Sequence, residues 1–445
     1  MNNKGYMKEM ISIGLPVTLQ SIFQASYSLV DQLMVGSLGS LSIAGSGLGA
    51  KFSSLVTFTL SSVAAVASIL IAQYHGIKDK KGINQSFFSC LYISVIIMLL
   101  FTLPSLLMPD LIMRVYTDDS AAIHMAAQYL RVISISFIPM TFTLLASSYL
   151  RSIEKSKYPM YASVISVLVN IIFNYIFIFG KFGVPKMYLT GAAIGTLIAR
   201  ILEAFYLLYF ILRLKLKKEI YLKPIHLWNT KFYKRISIII LPIMLNECSW
   251  SIGENIYAAI YGRLGTKALA AMTITNPLQG MFIGMFSGVS SAAVVMVGKR
   301  LGKNENEKAY DISKFLLKAG LVGSIIISII LALTIPFYVR LFNVEPEVEQ
   351  MTIYIVYALS FVLFAKILNM IMGGGILRSG GNTNFTMVID LIGTWIFGVP
   401  LGLLAAFVLK LPIYYVYLIL SLEEIIRLII GLFIVKTRKW MKNIT

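Results

Sequence analysis

Asp31 interrupts the long apolar run that opens the chain, in the stretch Tyr27-Ser28-Leu29-Val30-Asp31-Gln32, and no Lys or Arg stands between Lys8 and Lys51. A lone carboxylate in such a setting can take up and release a proton or hold a cation, and is a functional candidate for that reason. Asn170 and Asn174 lie four residues apart, on one face of a helix, where they could hydrogen-bond Asp31 or coordinate an ion. Asp31, Asn170 and Asn174 are therefore a candidate set for holding a proton or an ion. A second set sits further on. Glu247, Trp250, Glu254 and Tyr257 recur at three- and four-residue spacing and share a helical face. An acidic, aromatic face suits organic cations, through charge pairing and cation–π contact. Gln32, beside Asp31, and Asp390, in Asp390-Leu391-Ile392-Gly393-Thr394-Trp395, complete the candidate substrate-binding residues.

Other polar residues in apolar stretches have ordinary explanations. Lys366 is a candidate partner for the acids of the second set. Arg200 with Glu203, and Glu423 or Glu424 with Arg427, have spacings that satisfy one another and read as structural pairs. His75, His124 and His226 fall in loops or at the ends of apolar runs, far apart, so no catalytic cluster is in view. Cys90 and Cys248 match no metal or redox spacing and read as small buried residues. The chain is expected to be no enzyme and to carry no cofactor.

These residues need membrane helices to position them. Of 445 residues, 58% are hydrophobic and 13% charged, about half the charged share of a soluble chain. The mean hydropathy is +0.80. A span requires about 20 apolar residues, and twelve candidates lie near 11–35, 48–73, 88–112, 127–150, 158–180, 188–212, 236–261, 272–298, 315–341, 352–376, 384–409 and 412–435. They are too long for buried strands. The first is also too long for a signal-peptide core and is expected to be retained. Asp31 lies fifteen residues after Pro16, roughly 22 Å along a helix axis, past the midplane of its span.

The net charge of +19 could point to nucleic acid, but Lys and Arg gather in alternate connections. The largest basic loops run from Arg213 to Arg235 and from Lys299 to Lys318, while the intervening ones are short or acidic, as at Asp118-Asp119 and Glu345-Pro346-Glu347-Val348-Glu349. That asymmetry places both termini in the cytoplasm of a multi-pass protein of the cell inner (plasma) membrane. The expected partners are the lipid bilayer and small organic cations, not nucleic acid, and the expected state is a monomer.

The sequence also repeats itself. At an offset of 226, Leu15-Pro16 matches Leu241-Pro242, Gly36-Ser37-Leu38-Gly39 matches Gly262-Arg263-Leu264-Gly265, and Gly76 matches Gly302. At 227, Leu150-Arg151-Ser152 matches Leu377-Arg378-Ser379. An even number of spans per half makes the repeats parallel, about an axis along the membrane normal, with substrate expected at their interface. The expected organisation is an N-terminal six-helix lobe over 1–212, a basic cytoplasmic linker over 213–235 and a C-terminal six-helix lobe over 236–445. Asp31 falls opposite Tyr257 in this register, and Ser28 opposite Glu254.

With these residues placed, the chain resembles the multidrug and toxic-compound extrusion (MATE) transporters of bacterial type over nearly its whole length. The resemblance rests on Gly14-Leu15-Pro16, Asp31 and Val35-Gly36-Ser37-Leu38-Gly39, on Asn170 to Asn174 leading to Phe179-Gly180, on Gly191-Ala192-Ala193-Ile194-Gly195-Thr196, and on Leu377-Arg378-Ser379-Gly380-Gly381-Asn382-Thr383. It implies an all-α membrane protein of twelve helices in two six-helix lobes. It also implies an antiporter that exports cationic, often aromatic compounds in exchange for inward H⁺ or Na⁺ by rocking-bundle alternating access. Asp31 falls on the family's first-helix carboxylate, which binds the coupling ion, and Asn170 on an asparagine of the same lobe. Asn174 stands where some branches have a second aspartate. Glu247 and Trp250 look like one bacterial branch, whereas the tenth-helix aspartate of the sodium-coupled branch has only Lys366 nearby. The rival within the superfamily is a lipid or lipid-linked oligosaccharide flippase, which would favour an Arg-rich cavity over the acidic one seen here.

Overall fold

The computed structural model describes residues 3–36, 38, 40–116, 119–220, 222, 230–339 and 345–443, with the side chains of some helical positions, Gln32 among them, outside the description. Every regular element among these residues is helical. Twelve long helical segments follow one another in the order the hydropathy implies. They are α1 (Asn3–Gly36), α2 (Ser40–Gly76), α3 (Lys80–Leu107), α4 (Ser120–Ser152), α5 (Lys157–Phe179) and α6 (Tyr188–Leu216), then α7 (Thr230–Arg263), α8 (Thr266–Gly302), α9 (Asn306–Val339), α10 (Pro346–Leu377), α11 (Asn384–Val408) and α12 (Ile413–Thr437). A short helix, Pro109–Arg114, lies between α3 and α4.

Local chemistry sets the ends. Asp79 caps α3 by accepting from the Lys81 amide at 2.9 Å, and Asp119 caps α4 by accepting from Ala121 at 2.9 Å. Gly180, at φ +67°, closes α5 in the left-handed conformation that a Cβ would disfavour. Ten of the segments are long and apolar enough to cross a membrane by length and composition. α12 is 25 residues long but carries Glu423, Glu424 and Arg427 in its middle, which lowers its apolar character. Large apolar side chains such as Leu100, Phe205 and Phe433 are more than 60% exposed on these helices. Such residues need lipid as their solvent. The chain is an all-α integral membrane protein.

The helices form two compact units, Leu19–Ile236 and Met1–Thr18 together with Ser237–Thr445. The first holds most of α1 with α2 to α6, around a core that includes Val56, Leu60, Leu130 and Phe137. The second holds α8 to α12, nearly all of the described α7 and the opening turns of α1, around Ile312, Leu316, Ile355, Leu359 and Ile371. Gly14 shows why α1 begins there: a Cβ on it would lie 2.9 Å from the carbonyl oxygen of Gly288, and one on Gly288 would lie 2.1 Å from that of Gly14. The two backbones touch where only glycine fits, and Thr18 Oγ1 donates to the Met285 carbonyl at 2.8 Å just beyond. Of the expected 213–235 linker, residues 221 and 223–229 lie outside the description.

In α10 and α11 the winding widens to π-helix over Met370–Leu377, Ile392–Gly398 and Leu404–Val408. Glycines occupy these stretches where polar side chains press close: a Cβ on Gly393 would meet Arg427 Nε at 2.2 Å, and one on Gly398 would meet Glu423 Oε2 and the Tyr257 hydroxyl, each at 2.1 Å. Wide turns of this kind recur at functional positions.

Candidate functional site

In the first unit, α1, α5 and α6 bring four polar side chains into one chain of hydrogen bonds. Asn174 Nδ2 donates to Asp31 Oδ1 at 2.7 Å and to Asn170 Oδ1 at 2.8 Å, and Asn170 Nδ2 donates to Thr196 Oγ1 at 3.0 Å. Asn170 and Asn174 are buried, and Asp31 is partly exposed. The three sequence candidates for ion coupling therefore meet, and Thr196 joins them. Space for Asn174 comes from Gly195, where a Cβ would fall 2.1 Å from Asn174 Oδ1. That same Oδ1 is buried and receives no hydrogen bond. Asn246 Oδ1 and Asn369 Oδ1 in the second unit share this condition, and a buried acceptor of this kind can be answered by an ordered water, a proton donor or a cation. Chemically, the cluster offers one carboxylate and three neutral oxygens, a set suited to H⁺ or a small hard cation. A cleft leads from Asn170 and Thr196 past Ser166 to Gln24, Arg200 and Glu203, and Arg200 Nη1 pairs with Glu203 Oε2 at 2.9 Å.

The second unit holds a denser, charged network on α7, α10, α11 and α12. Arg427 is its hub: its Nη1 lies 3.8 Å from Asp390 Oδ1 and 3.9 Å from Glu424 Oε1, and its Nη2 lies 3.3 Å from Glu423 Oε1. Arg427 Nη2 also donates to Thr394 Oγ1 at 2.5 Å. Tyr257 donates to Glu423 Oε2 at 2.6 Å, Asn246 to Asp390 Oδ2 at 2.8 Å, and Asn369 to Glu424 Oε2 at 2.8 Å. Lys366 pairs with Glu424 at 3.4 Å. Three carboxylates thus face two bases at membrane depth, with Glu254 within electrostatic reach of Lys366, Glu424 and Arg427.

The face expected on α7 divides. Trp250, 42% exposed, and Glu254, also exposed, present an aromatic ring and an acid, and the Glu254 carboxylate makes no hydrogen bond or ion pair among the described residues. Tyr257 is buried and committed to Glu423. Glu247 pairs with Arg378 at 3.1 Å, and Lys366 goes to Glu424 instead. Asp390 is held by Asn246 and Arg427, and the Gln32 side chain lies outside the described residues. Cys90 is buried as expected, but Cys248 is exposed. It sits between Glu247 and Ser249, and the helix turns it outward.

The internal repeat reappears in these bonds. Arg151 Nη1 donates to Gln20 Oε1 at 3.4 Å and Arg378 Nη2 to Glu247 Oε1 at 3.1 Å, each across 131 residues of chain. Gln20 pairs with Ser163 at 2.7 Å as Asn246 pairs with Asp390. Arg200 and Arg427, 227 positions apart, both pair with acids of their own helices. Spacing reads Glu423 or Glu424 with Arg427 as a structural pair, and that pairing is present, whereas Lys366, expected opposite the acids of α7, goes to Glu424. Their convergence with Asp390 and Tyr257 is a property of four helices, and only the repeat register of Arg200 and Arg427 hinted at it.

The sequence profile of the MatE family matches residues 16–176 and 242–404, two stretches that begin 226 residues apart, as the repeat does, and together cover most of the chain. The chain belongs to the MatE family. Relatives run nearly end to end with this MatE chain. A probable multidrug resistance protein NorM of Thermotoga maritima is 23% identical over 440 residues, covering 98% of this chain and 93% of the relative. A multidrug resistance protein MdtK of Photorhabdus laumondii is 27% identical, covering 89% and 88%. Among solved structures, a MATE in complex with MaL6 superposes with a TM-score of 0.89 at 20% identity, covering 97% of this chain and 96% of that one. An outward-facing multidrug resistance MATE transporter superposes at 0.88 with 19% identity, over 98% and 97%. At these identities the structures establish the MatE fold, two lobes of repeated helices.

Proposed function

We propose that this MatE chain is a multidrug efflux transporter, a secondary antiporter that exports cationic, often aromatic compounds in exchange for inward H⁺ or Na⁺. The observation that carries the reading is the Asp31–Asn174–Asn170–Thr196 chain with its donorless Asn174 oxygen. It is an ion site in form, with one ionisable group and neutral oxygens around it. The NorM and MdtK relatives are named multidrug resistance proteins, which supports drug efflux; the cationic substrate class is read from the acids and ring of α7. In this reading the ion binds at Asp31, Asn170 and Asn174 in the N-terminal lobe. In the C-terminal lobe the organic cation meets the exposed Trp250 and Glu254, with Glu247, Tyr257 and Asp390 held behind them by their own partners.

Coupling requires that the ion bind two conformations unequally. Occupancy of Asp31 favours release of the cation outward, and vacancy favours its capture from the cytoplasm, where both termini lie. Two repeat-related lobes suit a rocking-bundle cycle of this kind. The protein works as a monomer in the cell membrane. The test is Asp31→Asn in proteoliposomes under an imposed pH or sodium gradient, with each gradient collapsed separately. Gradient-driven uptake of a fluorescent cation should be lost, and undiminished uptake would sink the assignment.

A further inference from the structure

The opening turns of α1 build a groove that the transport reading does not use. Lys4, Met7, Lys8, Ile11 and Ser12 line it on one side and Phe315 of α9 on the other, around an open space of about 610 Å³. All six residues belong to the second compact unit. The rotation of α1 here is fixed from its opposite face. Tyr6 is buried with its ring 5.8 Å from that of Phe315, and Glu9 reaches Arg300 at 3.3 Å and Lys299 at 3.7 Å. With the acid held inward, the two lysines, one turn apart, are left on the outer side, both exposed.

The acids at this end of the unit are held by other bases. Glu305 pairs with Arg300 and Lys308, Glu307 with Arg438, and Asp311 with Lys314. Lys4 and Lys8 make no ion pair among the described residues. The groove therefore presents two uncompensated ammonium groups above three apolar side chains, Met7, Ile11 and Phe315. An inorganic anion would answer the lysines and leave the apolar wall wet. A zwitterionic lipid would cover the wall and bring its own cation toward the lysines. An anionic amphiphile answers both, at the level where α1 passes from polar to apolar sequence.

We propose that this groove binds one anionic phospholipid, its phosphate between Lys4 and Lys8 and its acyl chains along Met7, Ile11 and Phe315. The proposal stands apart from the transport reading, because its readout is bound lipid. The full chain, delipidated in detergent, would be titrated with phosphatidylglycerol or phosphatidylcholine and the adducts counted by native mass spectrometry. A first phosphatidylglycerol should bind saturably and about tenfold more tightly than phosphatidylcholine. The double variant Lys4→Gln/Lys8→Gln should lose that preference. Ile11→Glu, which keeps both lysines and spoils the wall, should weaken the adduct, while Lys410→Gln, remote in the chain, should not. Millimolar inorganic phosphate should leave the adduct in place. Equal binding of the two lipids, an unchanged double variant, or displacement by phosphate alone would each overturn the proposal.

Discussion

Asn174 donates to Asp31 at 2.7 Å through an amide whose own carbonyl oxygen is buried without a donor. The pair is half satisfied, and its chemistry depends on what fills the other half. Asn174→Asp would set a second carboxylate against Asp31, and two acids at that separation cannot both stay empty of protons or cations. Transport by Asn174→Asp is expected to show a steeper dependence on the driving ion. Asn174→Leu, which removes both donor and acceptor, is expected to lower transport at limiting ion by tenfold or more, roughly the 1.4 kcal/mol of one charge-assisted hydrogen bond. Initial uptake rates against external pH or sodium concentration check both.

Gly195 is the residue that lets this arrangement exist. Its absent Cβ would fall 2.1 Å from Asn174 Oδ1, so Gly195→Ala must rotate the asparagine or part α5 from α6. Overpacking of this kind costs about 1–3 kcal/mol. The expected result is a lower melting temperature in detergent together with loss of gradient-driven uptake. Gly191→Ala, which meets the α5 backbone at Phe177, should cost stability similarly while leaving the polar chain in place.

Arg427 holds the charged network of the second unit, with its side chain 7% and that of Glu423 5% exposed. Removing one member of a buried ion pair costs about 3–5 kcal/mol, because the other charge is stranded. Arg427→Leu is expected to fold poorly. The double variant Arg427→Leu/Glu423→Leu should recover much of the loss, as read by yield and thermal unfolding. Tyr257→Phe, which deletes only the 2.6 Å bond to Glu423, should cost about 1–2 kcal/mol.

A pH response is expected in the loops. Lys155, after α4, donates to Glu219, after α6, and holds that carboxyl below its ordinary range. A depressed carboxylate contributes stability above its unfolded value, about 4.3, and loses it as pH falls through the lower folded value. The contribution of this exposed pair is small. Melting curves of the native chain should therefore drop slightly more steeply below about pH 4 than those of Glu219→Gln, and the two should run parallel above pH 6.

Much of this was legible in the residues. Apolar runs of span length located all twelve helical segments, because a bilayer demands them one at a time and in sequence. Asp31, Asn170 and Asn174 were legible because one helical turn and one isolated acid are local facts. Thr196 closes the 191–196 motif, but its bond from Asn170 is visible only once α5 lies against α6. The charged network of α12 was legible only within its own helix, for a related reason. Spacing satisfies Glu423 and Arg427 on one helix and gives no sign that Asp390, Lys366 and Tyr257 arrive from three others. Glu247 was expected on a binding face with Lys366 as its possible mate, and the geometry gave each a different partner.

The charges of α12 also bear on how the chain enters its membrane. Two glutamates and an arginine near the centre of one helix would each oppose insertion by about 2.5–3.5 kcal/mol if that helix met lipid alone. Its counter-charges come first in the chain, because Tyr257, Lys366 and Asp390 all precede α12. Asp31 has the opposite history. It leaves the ribosome some 140 residues ahead of Asn174, the partner that donates to it across 143 positions. α1 must therefore wait for the amide that answers its acid, while α12 follows residues that already carry its counter-charges.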